Sequence, residues 1–377
     1  MDDQGCMAGP RPSRERHVAV IGAGQWGREF VRAFDSLGAL LVVCDATQAR
    51  LDTLVTSDGV KRCSSYDECL KSAHIDAVAI ATPAAIHCEM VRSAFAAGKD
   101  VLVAMPLALS VKDGRELVDM AASANRVLMT GNALRCHPAV CELKELIDTG
   151  DLGSVEYICS NRLTVGPLRP EEGVLWGFAP NEVSVILDLL GEMPIAVSCQ
   201  GGDYTGRGVS DVTISQLMFA GGVRAQIFVS RMQPFKERWL VVVGSEKMAV
   251  FDEAARQALT TYPRSECSHA VRPAPDPAGE PAEIGVAEPI VAQCRAFLDC
   301  LEARRPPATG GAEEIRVLEV LEACSRSLSK DGVRILVRPD KGSRPSLPNR
   351  RRAGRRVAPH ASAGRAMRRM QVAAGIV

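Results

Sequence analysis

The stretch His17-Val-Ala-Val-Ile-Gly-Ala-Gly-Gln-Trp-Gly27 constrains the fold of this chain more than any other. Val18 to Ile21 form a short, β-branched apolar run suited to a parallel strand buried on both faces, and Gly22, Gly24 and Gly27 follow it in G-x-G-x-x-G spacing. Gly22 permits a tight turn, Gly24 lets a pyrophosphate come close to the backbone, and Gly27 lets the next helix pack against the strand. That helix is expected from roughly Trp26 to Leu37, and its free N–H groups and partial positive charge suit phosphate. Gln25 and Trp26, inside the motif, belong to the same cofactor-binding set.

A glycine motif alone is weak, so its surroundings decide. A second apolar run, Leu40 to Cys44, ends at Asp45, at the spacing of about 20 residues where an acid accepts hydrogen bonds from an adenosine ribose. An acid there repels a 2′-phosphate, which favours NAD over NADP. Helical and apolar stretches then alternate: helix Thr47–Ser57, strand Val60–Cys63, helix Tyr66–Ser72, strand Ile75–Thr82, helix Ile86–Ala97, strand Asp100–Ala104, helix Val111–Ala124 capped by Ser110, and strand Val127–Thr130. Pro83 disfavours helix at Thr82, so the chain leaves regular structure there. Residues 17–132 therefore read as an α/β Rossmann domain, a doubly wound parallel sheet with its ligand at the carboxyl ends of the strands.

Beyond residue 132 the period changes. Pro138 to Thr149 is expected as a linking helix, and the runs Val155–Leu163, Ala196–Cys199, Val212–Phe219, Val223–Ser230 and Trp239–Val243 as strands, with a hairpin turn at Gly221-Gly222. A helix Pro180–Leu190 ends at Gly191, Pro263–Pro289 reads as a loop, and helices Ile290–Arg304 and Ala312–Ser329 precede a last strand at Val333–Val337. Residues 133–337 thus form an α+β domain with a large, mainly antiparallel sheet, for substrate and oligomerisation, and a substrate belongs in the cleft between the halves.

The flanks carry the charge asymmetry. Residues 338–377 hold 11 Lys and Arg against one acid in a chain with 45 basic and 45 acidic residues, so the rest is correspondingly acidic. That basic tail and the polar leader 1–16 are too poor in large apolar residues to build a core and read as disordered. The tail has no Phe, Tyr or Trp on which bases could stack, which argues against a nucleic-acid partner. No apolar stretch approaches the roughly 18 residues of a spanning helix, so no membrane partner is expected. The 13 cysteines include no C-x-x-C pair, and the close spacings Cys63/Cys69, Cys136/Cys141 and Cys294/Cys300 match no zinc or disulfide framework. Reduced packing cysteines, no metal and a cytoplasmic location are the expectation.

At Ala81-Thr-Pro-Ala-Ala-Ile-His87 and at Gly98 to Ser110 the chain resembles the Gfo/Idh/MocA family of oxidoreductases. The resemblance continues through Gly131 to Ala139, Ser160 to Leu163, Leu175 to Val183 and Val229 to Glu237, and covers about residues 17–337. Within the family the chain is most similar to the branch acting on UDP-linked N-acetylhexosamines or their uronic acids, the UDP-N-acetylglucosamine 3-dehydrogenase type, where NAD takes hydride from a sugar carbon. The resemblance implies a cofactor cleft at Thr82, Pro83 and His87, with His87 either lining it or capping its helix. It also implies substrate contacts at Asn161, Arg162 and Lys236, and a dimer or tetramer.

The resemblance also exposes two departures. Where the family commonly has Glu-Lys-Pro, this chain has Ala104-Met105-Pro106, and where the branch has Asp-Phe-Ala-Pro-His-Asp it has Gly177-Phe178-Ala179-Pro180-Asn181-Glu182. Alcohol oxidation needs a proton acceptor, and neither the Met105 thioether nor the Asn181 amide takes a proton near neutral pH. His137 and Glu182 are the substitutes within reach of the cleft, set against structural roles before Pro138 and in a first helical turn. Two readings follow: an oxidoreductase with rearranged acid and base, or a nucleotide- or sugar-nucleotide-binding pseudoenzyme serving as sensor or partner subunit. Independently of either, ending the chain at Val337 should leave its melting temperature unchanged in calorimetry; a loss of several degrees would show that the tail packs on the body.

Overall fold

The computed structural model describes residues 16–165, 173–255, 258–264, 279–282, 284–285 and 287–337. The expected leader, apart from Arg16, the expected tail, and most of the Pro263–Pro289 loop lie outside the described residues.

Six parallel strands form the first sheet: β1 (Val18–Ile21), β2 (Leu40–Cys44), β3 (Lys61–Cys63), β4 (Ala77–Ile80), β5 (Asp100–Ala104) and β6 (Leu128–Gly131). Their order is β3-β2-β1-β4-β5-β6, so the winding reverses between β1 and β4 and opens a crevice at the carboxyl ends. Every residue of β1 and β4 is buried, as a sheet covered on both faces requires. The covering helices are α1 (Gln25–Ser36), α2 (Gln48–Asp52), α3 (Tyr66–Lys71), α4 (His87–Ala96) and α5 (Val111–Ser123), the last started by Ser110, whose side chain accepts from Asp113 N. α2 stops well short of the expected Ser57. Leu51 is its single buried residue; beyond it Leu54 is buried without helix, and Val55 is almost wholly exposed, so little apolar surface is left to hold a further turn.

The second half begins with α6 (Pro138–Thr149), which ends at Gly150 in the left-handed region at φ 81°. It continues with β7 (Val155–Val165), α7 (Val174–Gly177), α8 (Ala179–Leu190), β8 (Ala196–Gly202), β9 (Val212–Met218), β10 (Arg224–Ser230) and β11 (Met232–Gly244). Then come β12 (Lys247–Asp252), β13 (Leu259–Pro263), β14 (Glu280–Pro281), α9 (Pro289–Ala303), α10 (Gly311–Leu328) and β15 (Ile335–Leu336). Nine of these strands pair in the order β14-β13-β12-β11-β7-β10-β9-β8-β15. Neighbours run antiparallel except β7 and β10, which are parallel. β12 and β13 were not expected from sequence, and β14 falls inside the expected loop, pairing with β13 through Thr260 and Thr261. These short strands mix polar and apolar residues, and their pairing partners rather than their own pattern hold them extended. No described helix is long and apolar enough to cross a membrane.

The C-terminal helices stitch the halves together. α9 returns to the first sheet, where Phe297 meets Phe34 edge-on at 6.4 Å between ring centres. α10 lies against α5, and a β-carbon on Gly114 would fall 2.5 Å from Leu318 Cδ1, so glycine is what permits that contact. Thr130 N donates to Thr309 O at 2.9 Å and Thr309 Oγ1 donates back to Thr130 O at 2.9 Å. Beside them the wholly buried Glu314 accepts from Leu107 N at 3.0 Å.

Burial pushes the Glu314 carboxyl up to about 7, against the pull of the Leu107 amide and Thr130. Unfolded, it titrates near 4.5, so the folded chain holds more protons between these values and loses stability as pH rises through that window. Glu314→Gln should flatten this slope, removing a decline on the order of 2–3 kcal/mol between the two values, measured by urea unfolding across pH.

Candidate functional site

The glycine turn leaves no freedom. Gly22 sits at φ +96°, where a β-carbon would lie 2.9 Å from Ala81 O, and a β-carbon on Gly27 would lie 1.7 Å from Gly22 O. Gly24, by contrast, faces open space. The N-terminus of α1 has neither a side-chain cap nor an acid in its first turn, so its amides are left for a ligand. They face a cavity of about 630 Å³ whose walls include Gly24, Gln25, Trp26, Arg50, Thr82, His87 and Met105. A dinucleotide fits this cradle: an open approach at Gly24, unspent amides behind it, and a crevice at the strand-order reversal.

Asp45 does more for the turn than its position at the end of β2 suggested. Its Oδ2 accepts from Ala23 N at 2.7 Å and its Oδ1 from Thr47 N at 2.8 Å. Burial works to raise its pKa, but these two amides and the Arg50 guanidinium at 3.5 Å outweigh it and hold the carboxyl below its ordinary range. Asp45 is buried and braces the glycine loop, while its partner Arg50 lies on the cavity wall. Thr82 lines the wall, and Pro83 behind it opens the 3-10 turn Ala84–Ile86. His87 is buried on that wall, its Nδ1 2.8 Å from Pro106 O and its Nε2 3.0 Å from Thr82 O; it does not cap α4, whose start has no side-chain cap.

A second cavity of about 350 Å³ continues from the first, with Gln25, Trp26, Met105, Arg162 and Asn181 bordering both. The fold therefore brings Met105 and Asn181 together where the two cavities meet. Lys236 and His137 line the second cavity as well. Glu182 does not. It is buried behind the wall, its Oε1 accepting from Arg162 Nε at 2.6 Å and its Oε2 from Ser160 Oγ. Burial works against the Arg162 charge, but Glu182 overcomes it and holds the guanidinium above its ordinary value. Asn161 is not brought to either of these cavities. It pairs in register with Phe228 and Trp239, and strand alternation sends it to the sheet face opposite Arg162.

His137 caps α6: its Nδ1 accepts from Ala139 N at 3.1 Å, and its ring stands edge-on to Phe251 at 4.9 Å. Burial lowers its pKa, against the pull of Glu253, so the ring is neutral with its hydrogen on Nε2. Trp176 donates to Ser325 Oγ at 3.0 Å and, with Phe178, packs on the core while edging the larger cavity.

Three wall residues escaped the sequence reading. Arg238 is the cross-strand partner of Arg162, and its Nη1 donates to Glu253 Oε1 at 2.7 Å. Gln293 of α9 is 1% exposed and neither amide atom has a protein partner, so a buried donor and acceptor face the second cavity. Arg50 is the third. Only Arg50 had a sequence signal, a cation one helical turn beyond Asp45; the other two depend on strand register and on where α9 docks.

Residues 16–132 match the Gfo/Idh/MocA oxidoreductase family with its NAD-binding Rossmann fold, and residues 140–250 match the C-terminal domain of the same family. An uncharacterised oxidoreductase of Streptococcus pneumoniae is 29% identical over 50% of this chain and 54% of its own length. UDP-N-acetylglucosamine 3-dehydrogenase of Acidithiobacillus ferrooxidans is 25% identical over 80% of this chain and 93% of its own. The crystal structure of GenD2 from gentamicin A biosynthesis, in complex with NAD, superposes with a TM-score of 0.74 at 25% identity, covering 89% of this chain and all of that one. The family match on both halves, the strand order and the open glycine cradle agree: this chain belongs to the Gfo/Idh/MocA family of oxidoreductases, with NAD as the cofactor of its first half.

Proposed function

We propose that the chain is an NAD-dependent oxidoreductase for an anionic sugar, a UDP-N-acetylhexosamine or its uronic acid, with the family's catalytic Lys and His positions replaced. One observation carries this reading: the cofactor cavity opens directly onto a pocket walled by Arg162, Arg238 and Lys236. Glu182 and Glu253 pair with the two arginines, and Glu29 and Glu288 on the same cavity share Arg32, so Lys236 is the cation left to meet a diphosphate or carboxylate. The relative acting on UDP-N-acetylglucosamine supports the substrate class.

NAD, when bound, accepts the hydride that leaves the alcohol carbon. The protein must take the hydroxyl proton and steady the oxygen left behind. Met105 and Asn181 stand at that junction and do neither. The one lone pair of neutral His137 is already given to Ala139 N, and both Glu182 oxygens are engaged by Arg162 and Ser160. His137 Nε2–H, Lys236 and Gln293 supply donors that hold a sugar; the carboxylates on that wall, Glu29, Glu253 and Glu288, are each paired with an arginine, which leaves proton removal to water. The same engaged lone pairs favour the second reading, a protein that binds NAD and a sugar nucleotide as sensor or partner subunit. Self-association belongs to either reading, through the sheet face where Ile214 is exposed and Phe228, Trp239 and Val241 are half-buried.

The unmodified chain should bind NAD yet oxidise UDP-amino sugars slowly, since positioned proton transfer is worth roughly 10²–10⁴-fold. Met105→Lys with Asn181→His should raise turnover by more than the product of the single changes, followed as reduced-nicotinamide absorbance. Robust turnover by the unmodified chain would overturn the reading of impaired chemistry. Asp45→Ser should weaken NAD binding, because Ala23 N loses its acceptor, and narrow the preference for NAD over NADP. Calorimetry that finds equal affinity of the unmodified chain for both cofactors would remove the ribose role from Asp45.

A further inference from the structure

Three cysteines distant in sequence meet at one edge of the first sheet. Cys44 ends β2, Cys63 ends β3 and Cys69 lies in α3, and their Sγ atoms are all within 4.8 Å of one another. Cys44 and Cys63 are direct partners in the parallel ladder, and Cys69 closes over them from the helix. Glu68 brings Oε2 to 3.6 Å from Cys63 Sγ. Among the described residues this is the one cluster of three His, Cys, Asp or Glu side chains with metal-ligand spacing.

We propose that Cys44, Cys63 and Cys69, completed by the Glu68 carboxylate, form a binding site for a thiophilic divalent cation of the zinc type. Zn–S bonds of about 2.3 Å in a tetrahedron put sulfurs about 3.8 Å apart, so the three thiols need to close by at most about 1 Å. With a Zn–O bond of about 2.1 Å, the same tetrahedron puts sulfur and oxygen about 3.6 Å apart, the spacing Glu68 already has to Cys63; its exposed side chain has to swing inward to reach that spacing from the other two sulfurs. A disulfide would use two of the three sulfurs and leave the third. On binding, the thiols give up their protons to the solvent. Cys44 and Cys69 are buried and Cys63 is half-buried, which gives a cation one side of entry.

The place gives the site a consequence. Gly22 N donates to Cys44 O at 2.7 Å and Asp45 N to Cys63 O at 3.2 Å. A cation here would therefore clamp the strand ends that carry the first glycine and its bracing acid.

The test uses the full chain, reduced and freed of metal, titrated with Co²⁺ and then Zn²⁺. The expected result is one Co²⁺ per chain with thiolate-to-cobalt charge-transfer absorption, displaced by Zn²⁺. The band should vanish in Cys69→Ser and in Cys63→Ser. Because a buried substitution can disturb folding, the unmodified chain is also alkylated with and without Zn²⁺ and mapped by mass spectrometry: Zn²⁺ should shield residues 44, 63 and 69 above the other cysteines. No charge-transfer band, a band that survives both substitutions, or equal alkylation with and without Zn²⁺ would overturn the proposal.

Discussion

A β-carbon on Gly27 would stand 1.7 Å from the carbonyl oxygen of Gly22, and the rest of this protein depends on the absence of that atom. With a hydrogen there, α1 can start directly over the end of β1, its first amides unspent and its axis aimed at the crevice. Asp45 then locks the turn by taking the Ala23 amide, so the cradle for a pyrophosphate is built before any ligand arrives. The cofactor meets a shape already formed, which reduces the ordering cost of binding.

The second constraint is electrostatic and lies across the cleft. Burying Arg162 demands a partner, because an unpaired buried charge costs several kcal/mol, on the order of 3–5. Glu182 meets that demand from α8, and Glu253 does the same for Arg238 from the loop after β12. Both arginines are thereby held at the wall in fixed orientations. The pairing also engages Glu182, the neighbour of Asn181 in sequence: the contacts that fix the wall occupy both of its carboxylate oxygens.

The two sheets make a cleft only because the end of the chain crosses back. α9 completes the hydrophobic layer over the first sheet with Phe297, and α10 joins both halves through the Thr130–Thr309 pair and the buried Glu314. Gln293 reaches the second cavity by this return, more than a hundred residues after the other wall positions of the first half.

Much of this was legible in the residues themselves. Four of the five parallel strands after β1 follow from apolar runs bounded by turns, α6 runs from Pro138 to Thr149 as its periodicity predicts, and Gly150 and Gly191 end their helices in the left-handed conformation that glycine adopts freely. The glycine fingerprint predicted the cofactor half. Tertiary structure alone decided three matters. Pairing register turned Asn161 to the outer face and set Arg238 beside Arg162, because the two faces of a strand differ by a single residue and a chain in isolation has no register. Hydrogen bonds assigned the lone pairs of His137 and Glu182, which no residue type specifies. Parallel strand ends gathered Cys44, Cys63 and Cys69, whose sequence separations reveal nothing, because the sheet sets their distance through space.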